Sequence, residues 1–188
     1  MKKLTIFIVL AILCLNFNAK AQESISEIKP LKIGEHLPGT LRSKIFEATN
    51  AKNEHLSISL QNYKGKLILL DFWATWCTNC IVKFPTLDSL QQQYGKQLQV
   101  ILVNTPFRKD TPKTIAAKLA NAPNLPSIIS DDTLKAYFPH TYIPHYVWLG
   151  AKGELLALSN SDWVNPQMVK LMLAQYGRQK ATDHEIKN

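Results

Sequence analysis

The segment "LILLDFWATWCTNC" constrains the fold of this chain more than any other, because it joins an apolar run to a cysteine pair. Leu67 to Phe72 is apolar nearly throughout, which is typical of a strand buried on both faces. From Thr78 to about Tyr94, apolar residues recur at three- and four-residue spacing and predict a helix. Cys77 is therefore expected just before a helix, with Cys80 in its first turn.

The rest of the chain predicts an α/β fold. Periodicity and turn signals predict strands over 56–60, 97–104, 127–130, 145–149 and 154–159, and helices over 111–121, 131–138 and 165–176. Strands joined by helices pair in parallel, whereas the "GAKG" turn between the last two strands predicts an antiparallel hairpin. We therefore expect a central mixed β-sheet flanked by helices.

The first 21 residues have the order of a secretory signal peptide. Lys2 and Lys3 precede the apolar run Leu4–Leu15, and Ala19-Lys20-Ala21 provides a cleavage site of the A-x-A type. An uncleaved membrane anchor is the alternative, but the run is shorter than the roughly 20 apolar residues that span a bilayer. We expect secretion across the inner membrane into the periplasm, with no stable membrane span after cleavage.

Removal of the signal segment changes the charge and the cysteine count. The formal charge falls from +8 to +5, and Cys77 and Cys80 are the two cysteines that remain. A lipoprotein site at Cys14 is disfavoured because the bulky Leu13 precedes it. The lysines are scattered and form no basic run of five or more, so we expect no nucleic-acid partner.

The cysteine pair has structural and metal-binding alternatives. A disulfide that closes a four-residue loop contributes only about 2 kcal/mol in the chain-entropy model, so a structural staple is a weak explanation. A closed zinc site takes four ligands, and two cysteines with widely spaced histidines do not supply them. Two thiolates are enough for Cu(I), with His140 or His145 as a further ligand. A Cu(I)-binding module or metallochaperone therefore stays open as the alternative function.

A redox role fits the local structure better than either alternative. Free backbone N–H groups and the helix dipole at the start of a helix favour the thiolate form of Cys77. Cys80 lies three residues further on and faces the same end of the helix. Cys77 can therefore attack a substrate disulfide, and Cys80 can resolve the mixed disulfide. A C-x-x-C pair near a strand–helix–strand pattern indicates this chemistry.

Three stretches carry a resemblance to a known family. "DFWATWCTNC" resembles the active-site segment of thioredoxin-fold proteins, and "IGEHLPG", "YKGKLILLDFWATWC" and "IPHYVWLGAKGEL" resemble the secreted TlpA/ResA-type thiol–disulfide oxidoreductases. The resemblance implies a thioredoxin-like fold with an N-terminal strand extension. It divides the chain into a signal peptide (1–21), an N-terminal extension joining the fold (22–55), a thioredoxin-like domain (56–177) and a polar C-terminal tail (178–188).

The resemblance also assigns roles around the cysteines. It implies that Cys77 is the exposed nucleophile and Cys80 the buried resolving thiol. Asp71 matches a buried acid that takes a proton from Cys80, and its alternative is an aspartate at a strand edge facing water. Trp76 would be a substrate-contact surface, and its alternative is a core residue.

Two further features follow from the same resemblance. Ile143-Pro144 matches a cis-proline loop opposite the cysteines, where the backbone of Ile143 can pair with a substrate peptide. Lys83 departs from the family, because many of its members carry a glutamate three residues after the second cysteine.

The resemblance also implies the type of reaction and the partners. The expected enzyme is a thiol–disulfide oxidoreductase, a reductase rather than an oxidant. It would use the redox-active disulfide of Cys77 and Cys80 and no bound cofactor. Its expected partners are protein disulfides or dithiols and a membrane or periplasmic electron donor.

Overall fold

The computed structural model of the chain describes residues 28–105, 110–129 and 131–185, and of residues 176–185 only the backbone. The predicted signal peptide at 1–21 lies outside the described residues, as does Ser130 at the end of a predicted strand. No helix in the described ranges combines the length and the apolar character needed to cross a membrane.

Seven strands of the described chain form one mixed sheet. They are β1 (Phe46–Thr49), β2 (His55–Ile58), β3 (Leu67–Trp73), β4 (Leu98–Asn104), β5 (Ser127–Ile128), β6 (His145–Leu149) and β7 (Leu155–Ser159). The order across the sheet is β2-β1-β5-β4-β3-β6-β7. The pairs β3–β4 and β4–β5 are parallel, and all the others are antiparallel. The predicted mixed sheet is thus confirmed.

Helices lie on both faces of the sheet. They are α1 (Gly39–Ser43), α2 (Thr78–Tyr94), α3 (Pro112–Lys118), α4 (Asp132–Tyr137) and α5 (Pro166–Glu185). Short 3₁₀ turns occupy Leu60–Tyr63, Leu119–Asn121 and Ser161–Trp163. The parallel pairs require crossover connections, which α2 and α3 supply.

Strand β3 lies at the centre of the core, and all seven of its residues are buried. Side chains alternate across a strand, so its odd-numbered residues face one helical layer and its even-numbered residues face the other. Leu69 and Trp73 pack with Phe84 of α2 and Val169 of α5. Leu70 and its even-numbered neighbours pack with α1, α4 and the N-terminal segment in a second cluster. The first of these faces is called the α2 face below.

Most predicted helices begin at the expected residues. Thr111 caps α3 through its hydroxyl, with Pro112 in the first turn. The Asp131 carboxylate caps α4 by accepting the Leu134 N–H at 2.8 Å. Helix α2 continues through Pro85 to Tyr94. Helix α5 extends to Glu185, well beyond the predicted residue 176, because its polar last turns lack the apolar stripe on which the prediction relied.

The resemblance implied a strand in the N-terminal extension, but periodicity did not place its residues, and the structure shows it as β1. It lies inside the predicted extension 22–55, and it pairs with β2 on one side and β5 on the other. Upstream, residues 34–37 pair with 153–155, where the N–H of Gly34 donates to the Leu155 carbonyl at 2.8 Å. The N-terminal segment therefore runs across the face opposite α2, where Leu37 and Leu41 join the second cluster.

We predict that Asp88→Ala destabilises the fold by about 1–3 kcal/mol, because Asp88 is buried and accepts three hydrogen bonds. The donors are the Asn124 N–H at 2.9 Å, the Asn124 Nδ2 at 3.0 Å and the Gln92 Nε2 at 2.7 Å. The two bonds from Asn124 fasten α2 to the loop before β5. Urea unfolding measures the change. The exposed neighbour Ser89→Ala is the control, expected within about 0.5 kcal/mol of the parent, and equal effects of the two substitutions would contradict the prediction.

Candidate active site

The cysteine pair lies where the sequence predicted it, at the amino end of α2. Cys77 is the N-cap residue, and its Sγ accepts a hydrogen bond from the Cys80 N–H at 3.2 Å. The two cysteines form a disulfide, with their Cα atoms 5.3 Å apart. The Cys77 sulfur therefore lies at the positive dipole end of α2, bonded to an N–H group of its first turn. This geometry stabilises a thiolate at Cys77 whenever the disulfide is reduced.

The prediction of an exposed Cys77 is wrong for the oxidised protein. Cys77 is 5% exposed and Cys80 is 0% exposed. The cysteines belong to the apolar cluster that also contains Trp73 and Phe84, against which Ile143 packs. Packing against these side chains covers most of the Cys77 surface. As predicted, Cys77 is still the more accessible of the two cysteines, because it retains some exposed surface and Cys80 has none.

The loop between β3 and Cys77 is held by Asp110, which belongs to no motif in the sequence. The Asp110 carboxylate accepts hydrogen bonds from the Thr75 hydroxyl and from the Thr75 N–H. It also accepts one at 2.7 Å from the Asn104 Nδ2, at the end of β4. Asp110 thus connects the end of β4 to Thr75, two positions before Cys77.

Asp71 is buried on the α2 face and does not face water. It is 0% exposed and lies between Leu69 and Trp73, which both pack against α2. Neither carboxylate oxygen has a hydrogen-bond partner among the described residues. Burial raises the pKa of Asp71 well above its ordinary value, because the charged form loses its hydration. The alternative of a solvated aspartate at the strand edge is therefore wrong, and the role in proton transfer stays a prediction.

The predicted substrate-contact residues lie at the same edge of the sheet as the disulfide. Strand β6 runs antiparallel to β3, with His145 opposite Phe72, so Pro144 is at the edge where β3 ends. The Ile143–Pro144 peptide bond is cis, as the resemblance implied. Trp76 is 59% exposed, so the alternative of a core residue is wrong. A cavity of about 470 Å³ lies beside Pro144 and is lined by residues 139–142, 144–145 and 158–160.

The two histidines of the copper alternative lie on the face opposite α2. His145 pairs with Phe72, whose side chain belongs to the second cluster, and its ring stacks on that of His140 at 4.7 Å and 13°. Stacked rings in nearly parallel planes do not direct their nitrogen lone pairs at a common ion. Within the described residues no group of three or more His, Cys, Asp or Glu side chains is placed to hold a metal.

The histidine stack is neutral near pH 7. Burial lowers the pKa of His140, and burial together with the neighbouring His140 lowers the pKa of His145 to about 4. The Nδ1 of His140 lies 2.8 Å from the Phe138 carbonyl, so that nitrogen carries the proton of the neutral ring. The stack thus fastens both ends of the loop that carries Pro144 to the ring of Phe72.

Sequence comparison identifies a family for much of the described chain. Residues 47–135 match the family model named Thioredoxin. The chain is 35% identical over 98 residues to the thiol-disulfide oxidoreductase ResA of Geobacillus kaustophilus, covering 49% of this chain and 52% of that protein. It spans between about a third and about a half of the length of the curated relatives it matches.

Solved structures share the architecture. A thioredoxin-like protein solved in solution in its oxidised form has a TM-score of 0.61 at 22% identity, over 77% of this chain and 99% of its own. The exposed lipoprotein thioredoxin Etrx1 of Streptococcus pneumoniae has a TM-score of 0.55 at 23% identity, over 70% of this chain and 99% of its own. The predicted thioredoxin-like fold class is therefore confirmed.

We predict that Asp71→Asn changes how stability depends on pH. Because the folded state raises the pKa of Asp71, the folded parent binds more protons than the unfolded chain above about pH 4. The parent therefore loses stability as the pH rises from about 4 through the folded pKa, and the variant does not. Urea unfolding of both oxidised proteins between roughly pH 3.5 and 9 measures the difference in their free energy of unfolding. The contribution of His145 to the pH dependence cancels in this difference, because both proteins contain it. A difference that stays constant with pH would contradict the burial effect.

We predict that Asp110→Ala destabilises the protein by about 1–3 kcal/mol, because three hydrogen-bond donors lose their shared acceptor. It should also increase amide hydrogen exchange at Thr75 more than at other amides. A loss of stability elsewhere in the fold would not single out Thr75. Asp162→Ala, at an exposed position, is the control. Unchanged exchange at Thr75 would show that Asp110 does not hold the loop.

Proposed function

Because residues 47–135 match the Thioredoxin family model and contain the Cys77–Cys80 pair, we propose that this chain is a thioredoxin-like thiol–disulfide oxidoreductase that reduces disulfide bonds in other proteins. The observation that supports this most directly is the hydrogen bond at 3.2 Å from the Cys80 N–H to the Cys77 Sγ. A sulfur that caps a helix is ready to carry negative charge.

The proposed reaction is a two-electron exchange of disulfide bonds. The Cys77 thiolate attacks one sulfur of a substrate disulfide, so that a mixed disulfide forms and the other substrate sulfur leaves as a thiolate that takes up a proton. The Cys80 thiolate then attacks the Cys77 sulfur and releases the second substrate thiolate. The substrate is reduced to a dithiol, and the enzyme is oxidised to the Cys77–Cys80 disulfide.

Asp71 is the proposed proton acceptor for Cys80. Cys80 is fully buried at the first turn of α2, and Asp71 is fully buried on the face of β3 that packs against this helix. A buried thiol must lose its proton to attack, and a base with a raised pKa is suited to take it near neutral pH. Lys83, in place of the family's glutamate, supplies no carboxylate for this step.

The proposed substrate surface consists of Trp76, Ile143 and Pro144. Trp76 is exposed beside the disulfide, and the cis peptide bond of Ile143–Pro144 lies at the same edge of the sheet. An extended peptide can pair with the backbone of Ile143 by strand addition while its side chains contact Trp76. The cavity beside Pro144 offers further contact area for the same peptide.

The proposed location is the periplasm, after secretion across the inner membrane and removal of residues 1–21. The order of charge, apolar run and cleavage site supports this. Each catalytic cycle oxidises the enzyme, so a membrane or periplasmic dithiol donor must return two electrons. The redox-active disulfide serves in place of a bound cofactor.

We predict that Cys77→Ser abolishes catalysis of insulin reduction by dithiothreitol, because the nucleophile is lost. Only the uncatalysed rate should remain. Cys80→Ser should instead accumulate a mixed disulfide with the substrate, since the resolving thiol is lost. Turbidity of reduced insulin and non-reducing electrophoresis measure the two effects. The parent protein is the positive control, and catalysis that survives in Cys77→Ser would contradict the mechanism.

The direction of the exchange has a separate test. Equilibration with glutathione buffers gives the reduction potential of the Cys77–Cys80 pair. A reductase should lie near the thioredoxin value of about −270 mV, whereas a strong oxidant lies near −120 mV. A potential on the oxidant side would preserve the exchange chemistry and reverse the proposed direction.

A further inference from the structure

A tyrosine lies beside Asp71 in the buried layer. Tyr146 of β6 is the cross-strand neighbour of Asp71 in the antiparallel pair with β3, so the two side chains project from the same face of the sheet. Both residues are 0% exposed. Tyr146 packs in the cluster that contains Cys80 and Phe84 of α2.

Three polar atoms of this pair lack hydrogen bonds in the oxidised structure. Among the described residues, neither the two carboxylate oxygens of Asp71 nor the hydroxyl of Tyr146 has a partner. Buried polar groups are nearly always paired, and a buried group without a partner costs free energy. Two such residues side by side next to a redox centre point to a use in another state of the protein.

Of the two cross-strand neighbours of Asp71 in the described sheet, Tyr146 is the one with a side-chain hydroxyl. The neighbour from β4 is Leu102. Helix α2 presents Phe84 and the disulfide sulfurs, and α5 presents Val169 and Met172, in the same cluster. Tyr146 is therefore the titratable neighbour of Asp71 in β6, and Cys77 and Cys80 are the titratable groups that the start of α2 contributes to the cluster containing Tyr146.

The Tyr146 hydroxyl is suited to donate and not to ionise. Burial and the neighbouring Asp71 both raise the pKa of Tyr146, so the phenol keeps its proton throughout the working pH range. A neutral phenol next to an ionised carboxylate is a charge-assisted donor, which is about twice as strong as a donor to a neutral acceptor. Its proton has no competing acceptor among the described residues.

We propose that Tyr146 is a positioning residue that donates a hydrogen bond to the ionised Asp71 in the reduced enzyme and so keeps the base available to Cys80. This inference rests on the proposed exchange mechanism. In the reduced enzyme, Asp71 must be ionised to accept the Cys80 proton. After the transfer Asp71 is neutral, and the oxidised structure, with no bond between the two side chains, represents that later state.

The test is the reaction of the reduced protein with an aromatic disulfide whose released thiolate is coloured. Attack by Cys77 releases the first thiolate and leaves the second in a mixed disulfide, and Cys80 then releases the second. Stopped-flow absorbance at a series of pH values separates the two phases. The second phase reports proton removal from Cys80 without any protein substrate.

In Tyr146→Phe, the pH midpoint of the second phase should rise by about one to two units, because the ionised carboxylate loses its donor. The first phase should keep the parent's pH dependence. Tyr94→Phe is the matched control, since the Tyr94 hydroxyl is also buried without a partner but lies at the far end of α2. In Asp71→Asn, the second phase should lose the pH midpoint that Tyr146→Phe shifts, because the titrating carboxylate is absent.

Equal midpoints in Tyr146→Phe and Tyr94→Phe would overturn the proposal. A measurement on the parent keeps the test independent of variant folding. In reduced, ¹³C-labelled protein, the Tyr146 Cζ resonance should shift at the same pH midpoint as the Asp71 carboxyl, and a Tyr146 resonance that stays flat while Asp71 titrates would also overturn it. If the parent lacks a second phase altogether, the exchange mechanism fails, while the resonances still decide whether Tyr146 serves Asp71.

Discussion

The parallel pairing of β3 with β4 is the constraint on which the rest of the structure depends. Two parallel neighbours cannot be joined by a tight turn, so the chain must cross the sheet, and α2 makes that crossing. The start of α2 is thereby fixed at the edge where β3 ends. Cys77 occupies this junction as the N-cap of α2. The reactive sulfur is thus placed by the topology of the sheet and stabilised by the backbone of the helix.

The antiparallel pairing of β6 on the other side of β3 completes the site. It brings the start of β6 to the same edge, so Pro144 lies near the disulfide although 67 positions separate it from Cys77 in sequence. The same register places Tyr146 beside Asp71 on one face and His145 beside Phe72 on the other. One strand therefore contributes a contact surface, a buried hydroxyl and a ring that fastens the loop.

The buried polar groups near the cysteines oppose stability. A buried polar atom without a partner costs about 1–3 kcal/mol, and Asp71 and Tyr146 present three such atoms within the described residues. The apolar packing of β3 between two clusters offsets this cost. Local instability of this kind is typical of sites where the environment of a titratable group has been adjusted for catalysis. Asp88 and Asp110, whose carboxylates are fully paired, show the contrasting structural use of a carboxylate in the same fold.

Several elements could not be read from the sequence, each for a physical reason. Strand β1 has four residues, Phe46–Thr49, which is the shortest length over which alternation of apolar and polar residues indicates a strand. Asp110 is 33 positions from Cys77 and follows no motif, so its hydrogen bonds to Thr75 depend on tertiary proximity alone. The low exposure of Cys77 depends on side chains from β3, α2 and the Pro144 loop, which local spacing does not bring together.

The sequence by itself determined the local features of the site, which are a buried strand, a short loop, and two thiols at the first turn of a helix. Periodicity and spacing are sufficient for these features, because each depends on residues within one turn or one strand of each other. What only the tertiary structure decided is the environment of those thiols. The pairing of Asp71 with Tyr146, the support from Asp110 and the position of Pro144 depend on strand register, and register is set by the packing of the whole sheet.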